Sequence, residues 1–353
     1  MTVTKRARVL VISLGGTIAS TSTPAAGAGV VPQLTVHDLI AAVPELVDVC
    51  DIDAVSFRQV PSGDLTFSDL VALARVIDEY FAQGFDGVVI TQGTDTIEEA
   101  SFALDVLISS PAPVVVTGAM RNPTLASHDG PGNLLAAVRV AASPQARGLG
   151  CLVVMNDEVH AARFVRKTHS SSTGAFRSPN NGPIGWVVEE RVRIVARLAP
   201  LATIEVPSLD DAPAVALVSC ALDDDGRILG RLEELGFRGC VVDSFGAGHV
   251  PSTMVGAIES LASAMPVILC SRTGSGEVLS HTYGFPGSES DLLSRGATSG
   301  AMLDGRKARV ALTLALAVSS DSAQAREHFE RVRDSLTALL TTSEGFDNDA
   351  RGA

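Results

Sequence analysis

Short apolar runs that alternate with segments of helical period constrain this 353-residue chain more than any other feature. In the first half, RVLVISL (8–14), DGVVIT (86–91), PVVVTG (113–118) and GCLVVMN (150–156) are apolar over most of their length, as strands buried on both faces are. Between them lie DLIAAVP, SDLVALARVIDEYFAQG, IEEASFALDVLIS and NLLAAVRVAAS, whose apolar residues recur at helical spacing. Strand and helix in regular alternation predict a parallel sheet covered on both faces. GWVVEERVRIVARLA (185–199) has period two and predicts short strands. Residues 200–213, PLATIEVPSLDDAP, have the proline and polar content of a linker. The alternation resumes with AVALVSC (214–220), GCVVDSF (239–245) and PVILCS (266–271), with helices expected near 228–236, 252–263 and 305–318. The expected organisation is a larger α/β domain over 1–199, a linker over 200–213, and a smaller α/β domain over 214–340. A polar, acidic tail, expected to be disordered, follows over 341–353.

Composition narrows the partners. With 46% apolar and 19% charged residues the chain has ample material for buried cores. A net charge of −13 repels nucleic acid and anionic membrane surfaces, so neither is expected as a partner. Cys50, Cys151, Cys220, Cys240 and Cys270 are scattered, with no CxxC pair, which favours buried free thiols in a reducing compartment. No metal-ligand spacing of His, Cys or carboxylates is visible, and no metal is expected. VLVISL is shorter than a signal-peptide core and runs into a glycine turn, so it reads as a first buried strand. No run approaches transmembrane length, and the expected location is the cytoplasm.

The stretch TQGTDTIEEA (91–100) sits where a buried strand, FDGVVI, passes into a helix. Ligands of open parallel α/β sheets bind at that edge, where the free N–H groups of a first helical turn converge. A hydroxyl and a carboxylate side by side there, Thr94 and Asp95, suit catalysis or ligand capture. They equally suit a helix cap, with Asp95 and Glu98 forming a capping-box variant.

Other strand ends carry similar signals. VLVISL ends in GGTIAS, which places Thr17 after a Gly15–Gly16 turn. This is neither GxGxxG nor a Walker A loop, so a nucleotide site is not indicated. VPSGDLTFSDL (60–70) holds Ser62 and Asp64, TGAMRNPTLASHDGPGNLLAAV (117–138) follows PVVV, and VMNDEVHAARFVRKTHSSSTGAF (154–176) holds Lys167. Alone, Thr17 reads as a turn threonine and Lys167 as a surface charge. Gathered above one sheet edge, they suit amide hydrolysis. A threonine hydroxyl is a poor nucleophile until a base takes its proton. A lysine perturbed by burial or a neighbouring charge can be that base, and glycine-turn N–H groups can form an oxyanion hole.

Taken together, these segments resemble the bacterial-type L-asparaginase (asparaginase/glutaminase) family. The carrying stretches are GGTIA (15–19), SGDL (62–65), QGTDTIEE (92–99), TGAMR (117–121), DGPGNL (129–134), VVMND (153–157), KTHSSSTGAF (167–176), YGF (283–285) and GRKAR (305–309). They run in order through nearly the whole chain. The resemblance implies a larger flavodoxin-like domain and a smaller α/β domain, in a homotetramer built of close dimers, with no cofactor. It implies hydrolysis of L-asparagine to L-aspartate and ammonia. Thr17 would be the nucleophile, and Thr94, Asp95 and Lys167 the group that activates a hydroxyl or water. Ser62 would hold the substrate α-carboxylate. Asp95 would also pair with the α-amino group, and the Ala119 carbonyl would receive the side-chain amide. Gly63 stands where a glutamine often contacts the substrate amino group. Glu277, six residues before Tyr283, would reach into a neighbouring subunit's pocket.

The chain departs from the family pattern at several points. Leu14 stands where many members have threonine, Gln92 where many have histidine, and His249 near a frequent asparagine. Tyr80 and Tyr283 are the only tyrosines, so the loop over 20–34 lacks the tyrosine that many relatives place beside the nucleophile. These departures bear on substrate choice. The alternatives are a glutaminase or other ω-amidase, and a non-catalytic amino-acid-binding relative.

Overall fold

The computed structural model describes residues 6–22, 30–32 and 34–337. The tail over 341–353 and the greater part of the tyrosine-free loop lie outside them. β1 (Arg8–Ser13) leads through a small ribbon, β2 (Ser20–Ser22) and β3 (Val30–Pro32), and two short helices, α1 (Val36–Ala41) and α2 (Leu46–Val49), to β4 (Asp51–Ser56). β4 pairs in parallel with one edge of β1. α3 (Phe67–Ala82) then carries the chain back to β5 (Gly87–Thr91), on the other edge of β1. α4 (Ile97–Leu107), β6 (Val114–Thr117), α5 (Gly130–Ala141) and β7 (Cys151–Met155) continue the parallel sheet outward. β8 (Glu158–Ala161) folds back antiparallel to β7. After a two-stranded ribbon, β9 (Arg166–Lys167) with β10 (Phe176–Arg177), the hairpin β11 (Gly185–Val188) and β12 (Arg191–Ile194) closes the sheet.

The spatial order is β12-β11-β8-β7-β6-β5-β1-β4. Its parallel part, β4-β1-β5-β6-β7, is the flavodoxin-like order 2-1-3-4-5. The chain leaves β1 in one direction and resumes at β5 in the other, so a crevice opens between the carboxyl ends of these two strands. Strand residues alternate between two cores. Val9, Val11, Val89, Val115, Leu152 and Val154 pack with α1, α2 and α5. Leu10, Ile12, Val88, Ile90, Val116 and Val153 pack with α3 and α4 on the opposite face. Burial on both faces accounts for the unbroken apolar runs.

Residues 200–213 carry no helix or strand, yet they bury Leu201, Ile204 and Val206. The smaller sheet is wholly parallel: β13 (Val215–Ser219), β14 (Gly239–Ser244), β15 (Val267–Ser271) and β16 (Thr298–Ser299). Its helices are α6 (Val255–Ala264), α7 (Glu289–Ser294), α8 (Gly305–Val318) and α9 (Ser322–Ser335). The helix expected near 228–236 is a single 3-10 turn, Leu229–Arg231. Gly230 lies within it, and Gly226 and Gly236 flank the segment with positive φ, so glycine breaks the helix that the apolar spacing suggests. One apolar cluster joins helices of the two domains: Ala100, Phe102, Ala103 and Val106 of α4 meet Ala308, Ala311, Leu314 and Ala315 of α8 and Phe329 of α9.

β8 buries His160 completely. Its Nδ1 lies 3.0 Å from Ser178 Oγ, and its Nε2 3.4 Å from a Glu158 oxygen without hydrogen-bond geometry. Burial, helped by the nearby Arg177 charge, pushes the imidazole from its usual 6.5 down to about 4. The unfolded chain therefore binds a proton that the folded chain refuses between these values. That contribution to stability is complete above about pH 6.5 and is lost as pH falls through about 4. Urea-unfolding free energies should fall across this window, and His160→Gln should flatten the fall. An unchanged slope in the variant would exclude His160 as its source.

Candidate active site

The loops that leave β1, β4, β5 and β6 meet over the β1/β5 crevice. Leu14 N–H donates to Thr91 O (2.8 Å), Val60 N–H to Leu14 O (3.1 Å), and Gln92 N–H to Thr117 O (3.1 Å). Gly16 has φ +85, and its backbone lies directly against Gly93; a Cβ there would overlap Gly93 N and Cα. Thr17 follows at once, half-buried, as the first residue of the turn Thr17–Ala19. On its other side Gly93 lies against Ser62, whose Oγ would stand 2.7 Å from a Cβ at position 93. Ser62 is buried, and its carbonyl accepts from Thr96 Oγ1 (3.0 Å). Gly63 beside it is exposed, with open space where a side chain would project.

Ala119 is buried at the foot of the β6–α5 loop. The DGPGNL residues shape that loop. The Asp129 carboxylate accepts from Met120 N–H (3.0 Å) and Arg121 N–H (2.8 Å), and Asn133 Nδ2 donates to Gly118 O (3.0 Å). Gly118 in turn lies against the Gln92 carbonyl and the Thr94 methyl. Among the described residues, Thr91 Oγ1 and Gln92 Oε1 are buried without a hydrogen-bond partner.

The decisive geometry is at Lys167. Its Nζ donates to Thr94 Oγ1 at 2.9 Å and to Asp95 Oδ1 at 2.6 Å. Thr94 is buried, whereas the Asp95 side chain is 81% exposed and stands at the rim, with its second oxygen facing no protein donor among the described residues. The capping box is not formed. α4 begins at Thr96 with no side-chain cap. Asp95 turns to Lys167 Nζ, and Glu98 turns to Lys167 N–H (2.8 Å) and Arg306 (3.2 Å). Both carboxylates that could have capped the helix are committed to Lys167 instead, and the first-turn N–H groups are left unclaimed by a side chain.

Glu277 stands apart. It is exposed on the loop after β15, between Gly276, whose N–H donates to Asn180 Oδ1 (2.7 Å), and buried Val278. Among the described residues no hydrogen bond or ion pair joins it to Thr17, Thr94, Asp95 or Lys167. His249 Nε2 lies 3.1 Å from buried Glu289, which also accepts from the N–H groups of Thr282 and Tyr283. The cysteines offer no competing nucleophile. All are buried, and burial pushes Cys50 to about 11 and Cys220 and Cys240 to about 12.

The family description "Asparaginase, N-terminal" matches residues 8–199, and "Glutaminase/Asparaginase C-terminal domain" matches 214–329. The chain belongs to the asparaginase family. An L-asparaginase of Bacillus licheniformis is 36% identical over 317 residues, 88% of this chain and 95% of the relative. A glutaminase-asparaginase of Pseudomonas fluorescens biotype A is 31% identical over 336 residues, 93% of this chain and 91% of the relative. The crystal structure of a probable cytoplasmic L-asparaginase from Campylobacter jejuni superposes with a TM-score of 0.83 at 34% identity, covering 92% of this chain and 99% of that one.

Sequence reasoning passes over three residues of this family member's site: Glu98 as a partner of the Lys167 backbone, and Arg306 and Lys307 behind it. GRKAR carries a signal, since three cations, Arg306, Lys307 and Arg309, open a helix that is otherwise mostly apolar, but nothing in the sequence says what they face. The loop contacts also predict a contrast between glycines. Gly16→Ala drives a methyl into the Gly93 backbone and should lower stability by about 1–3 kcal/mol. Gly63→Ala, which meets open space, should stay within about 0.5 kcal/mol. Urea denaturation of both variants checks this; equal losses would remove the Gly16–Gly93 contact as the determinant.

Proposed function

We propose that this protein hydrolyses the side-chain amide of L-asparagine to L-aspartate and ammonia through a threonine nucleophile. The observation that carries this reading is the lysine held between Thr94 Oγ1 (2.9 Å) and Asp95 Oδ1 (2.6 Å) on a strand-end loop. A lysine within hydrogen-bond reach of a buried hydroxyl can exchange a proton with it, and the adjacent carboxylate holds the lysine in place. A pocket that only binds an amino acid needs no such contact.

The proposed sequence has two steps. The Thr17 hydroxyl attacks the amide carbon, and its proton passes to the leaving nitrogen, which departs as ammonia. Backbone N–H groups of the uncapped turns face the developing oxyanion. The resulting β-aspartyl ester is opened by a water that Thr94 and Lys167 deprotonate, which restores the Thr17 hydroxyl and releases aspartate. Ser62 binds the α-carboxylate, the exposed Asp95 oxygen binds the α-ammonium, and the Ala119 carbonyl accepts from the side-chain amide. With Gly63 in place of a longer side chain, the α-ammonium has fewer partners, so asparagine is preferred over glutamine but bound less tightly than where that contact exists. The proposed compartment is the cytoplasm, supported by five buried unpaired thiols and by the likeness to the probable cytoplasmic L-asparaginase of Campylobacter jejuni.

Ammonia release from asparagine and glutamine tests the reading. Asparagine should be turned over with the higher kcat/KM, and a glutamine value equal or higher would reverse the preference. Thr17→Ala, Thr94→Val and Lys167→Met should each reduce kcat by about 10²–10⁴-fold. Thr94→Val with Lys167→Met should be little worse than either alone, because groups acting as one unit are non-additive. Losses that multiply would separate Lys167 from Thr94.

The proposed assembly is a homotetramer of close dimers, with Glu277 of one subunit completing its neighbour's pocket by pairing with the substrate ammonium. Its exposure, and the absence of a bond to Thr94, Asp95 or Lys167 among the described residues, support this role. Thr17→Ala and Glu277→Ala proteins, each inactive, should regain part of the activity when dissociated and reassembled together. A fully active monomer in light scattering, or no recovery in proven mixed assemblies, would overturn the shared site.

A further inference from the structure

The reach of a lysine to a hydroxyl is fixed only if its backbone is fixed, and the ribbon that carries Lys167 is short. β9 and β10 pair over two residues each, Lys167 opposite Phe176 and Arg166 opposite Arg177. So small a ribbon has little stability of its own. Contacts from outside the ribbon hold it, and Arg306 and Lys307 of the smaller domain take part in them. Glu98 Oε2 accepts the Lys167 N–H at 2.8 Å, while its other oxygen lies 3.2 Å from Arg306. One residue before β9, the Val165 carbonyl accepts from Lys307 Nζ at 2.7 Å. Lys307 Nζ also lies 2.9 Å from Asp304 Oδ2, and Asp304 Oδ1 caps α8 through the N–H groups of Arg306 and Lys307.

We propose that the first turn of α8, Asp304 to Lys307, is a positioning device for Lys167. Arg306 steers the Glu98 carboxylate onto the lysine's own N–H, and Lys307 pins the carbonyl of Val165. The smaller domain thereby sets, through the backbone, where the lysine's ammonium meets Thr94. This rests on the assignment of Lys167 to proton transfer above and extends the machinery to residues that touch neither substrate nor the reacting atoms.

The chemistry of the anchors supports a role in geometry rather than in bulk stability. Lys307 is 1% exposed. A buried ion pair is often no more stabilising than apolar packing of the same volume, so a cation at this depth is weak evidence for a stability role. Its bond to a main-chain carbonyl is directional and names one residue, Val165. Glu98 is likewise buried, and each of its oxygens has a separate partner. Arg306 is 46% exposed, so its removal leaves no apolar cavity.

The test uses the full-length protein with Arg306→Met, Arg306→Lys, Lys307→Met and Lys167→Met, assayed by ammonia release from asparagine well below each melting temperature. Misplacement of a reacting group by about 1 Å can cost about 10²-fold. Arg306→Met and Lys307→Met should therefore lose about ten- to hundredfold in kcat per folded molecule, with KM within about twofold. Arg306→Lys, which keeps a cation for Glu98, should recover most of the loss. A readout independent of turnover is amide hydrogen exchange. The Lys167 N–H should exchange faster in Arg306→Met, while the Thr168 N–H, bonded to the Ala175 carbonyl at 2.8 Å, serves as the internal reference. Arg306→Met with wild-type kcat and unchanged Lys167 exchange would overturn the proposal. So would a loss that falls on KM alone. Wild-type kcat in Lys167→Met would instead overturn the assignment of the lysine itself, a different result in a different variant.

Discussion

The bond between Lys167 Nζ and Thr94 Oγ1 joins loops that are 73 residues apart in sequence, and the arrangement of the larger domain serves that closure. The chain passes from β1 to β4 and back across β1 to β5, which opens the crevice where the Gly16 and Gly93 backbones touch. From β7 it turns back along β8, so that β9 comes to lie above the same sheet edge. A bond from an ammonium to a carboxylate, here Lys167 to Asp95 at 2.6 Å, is stronger and shorter than a neutral one. It ties the mobile end of a long side chain at the place where a hydroxyl has to be met.

That closure explains an irregularity at the start of α4. A helix that follows Thr94-Asp95-Thr96 has good capping residues at hand, yet it uses none of them. Replacing a good cap by a poor one typically costs about 0.5–2 kcal/mol. Here the loss is accepted where two carboxylates are needed elsewhere: Asp95 for the ammonium of Lys167, and Glu98 for its N–H. α5 does the same, its Asp129 carboxylate being turned to the N–H groups of Met120 and Arg121 rather than to the helix. α1 and α3 have complete capping boxes from Thr35 with Asp38 and from Thr66 with Asp69. Local rules broken at α4 and α5, which open beside the site, and kept at α1 and α3 mark a functional position.

Most of the fold was legible because the strands buried on both faces are short unbroken apolar runs, set between the longer apolar stripes of α3, α4, α5 and α8. Several elements were not legible, β4, α7 and α9 among them. β4 is an edge strand whose DIDAVS sequence is acidic and half exposed. α7 has six residues, too few to show a period. α9 is polar except for Ala323, Ala325, Phe329 and Val332, although the last three, which are buried, follow one helical face. At the site, the ordered motifs pointed to Thr94, Asp95 and Lys167, which the fold brings into contact. Ser62 stood out at a strand end, whereas Ala119 came only with the family resemblance. The partners of Glu98 were hidden because a carboxylate at 98 and a guanidinium at 306 are neighbours only after two sheets have packed together. Glu277 is likewise not brought to the lysine by its own chain.

Why those sheets pack so closely is a question of α8. Its residues Ala308, Ala311, Leu314 and Ala315 are fully buried, and they share one apolar cluster with Ala100, Ala103 and Val106 of α4. Alanines on both helices allow a close approach, and a well-packed interior tolerates little relative movement. A hydrogen bond, by contrast, weakens within a few tenths of an ångström and as its angle bends. The 3.2 Å separation of Arg306 from Glu98 and the 2.7 Å bond from Lys307 to Val165 can be held only by elements that do not slide. The apolar face between α4 and α8 supplies that stiffness. The cations at the start of α8 convert it into the position of a single backbone amide, and the lysine side chain carries that position to the hydroxyl of Thr94.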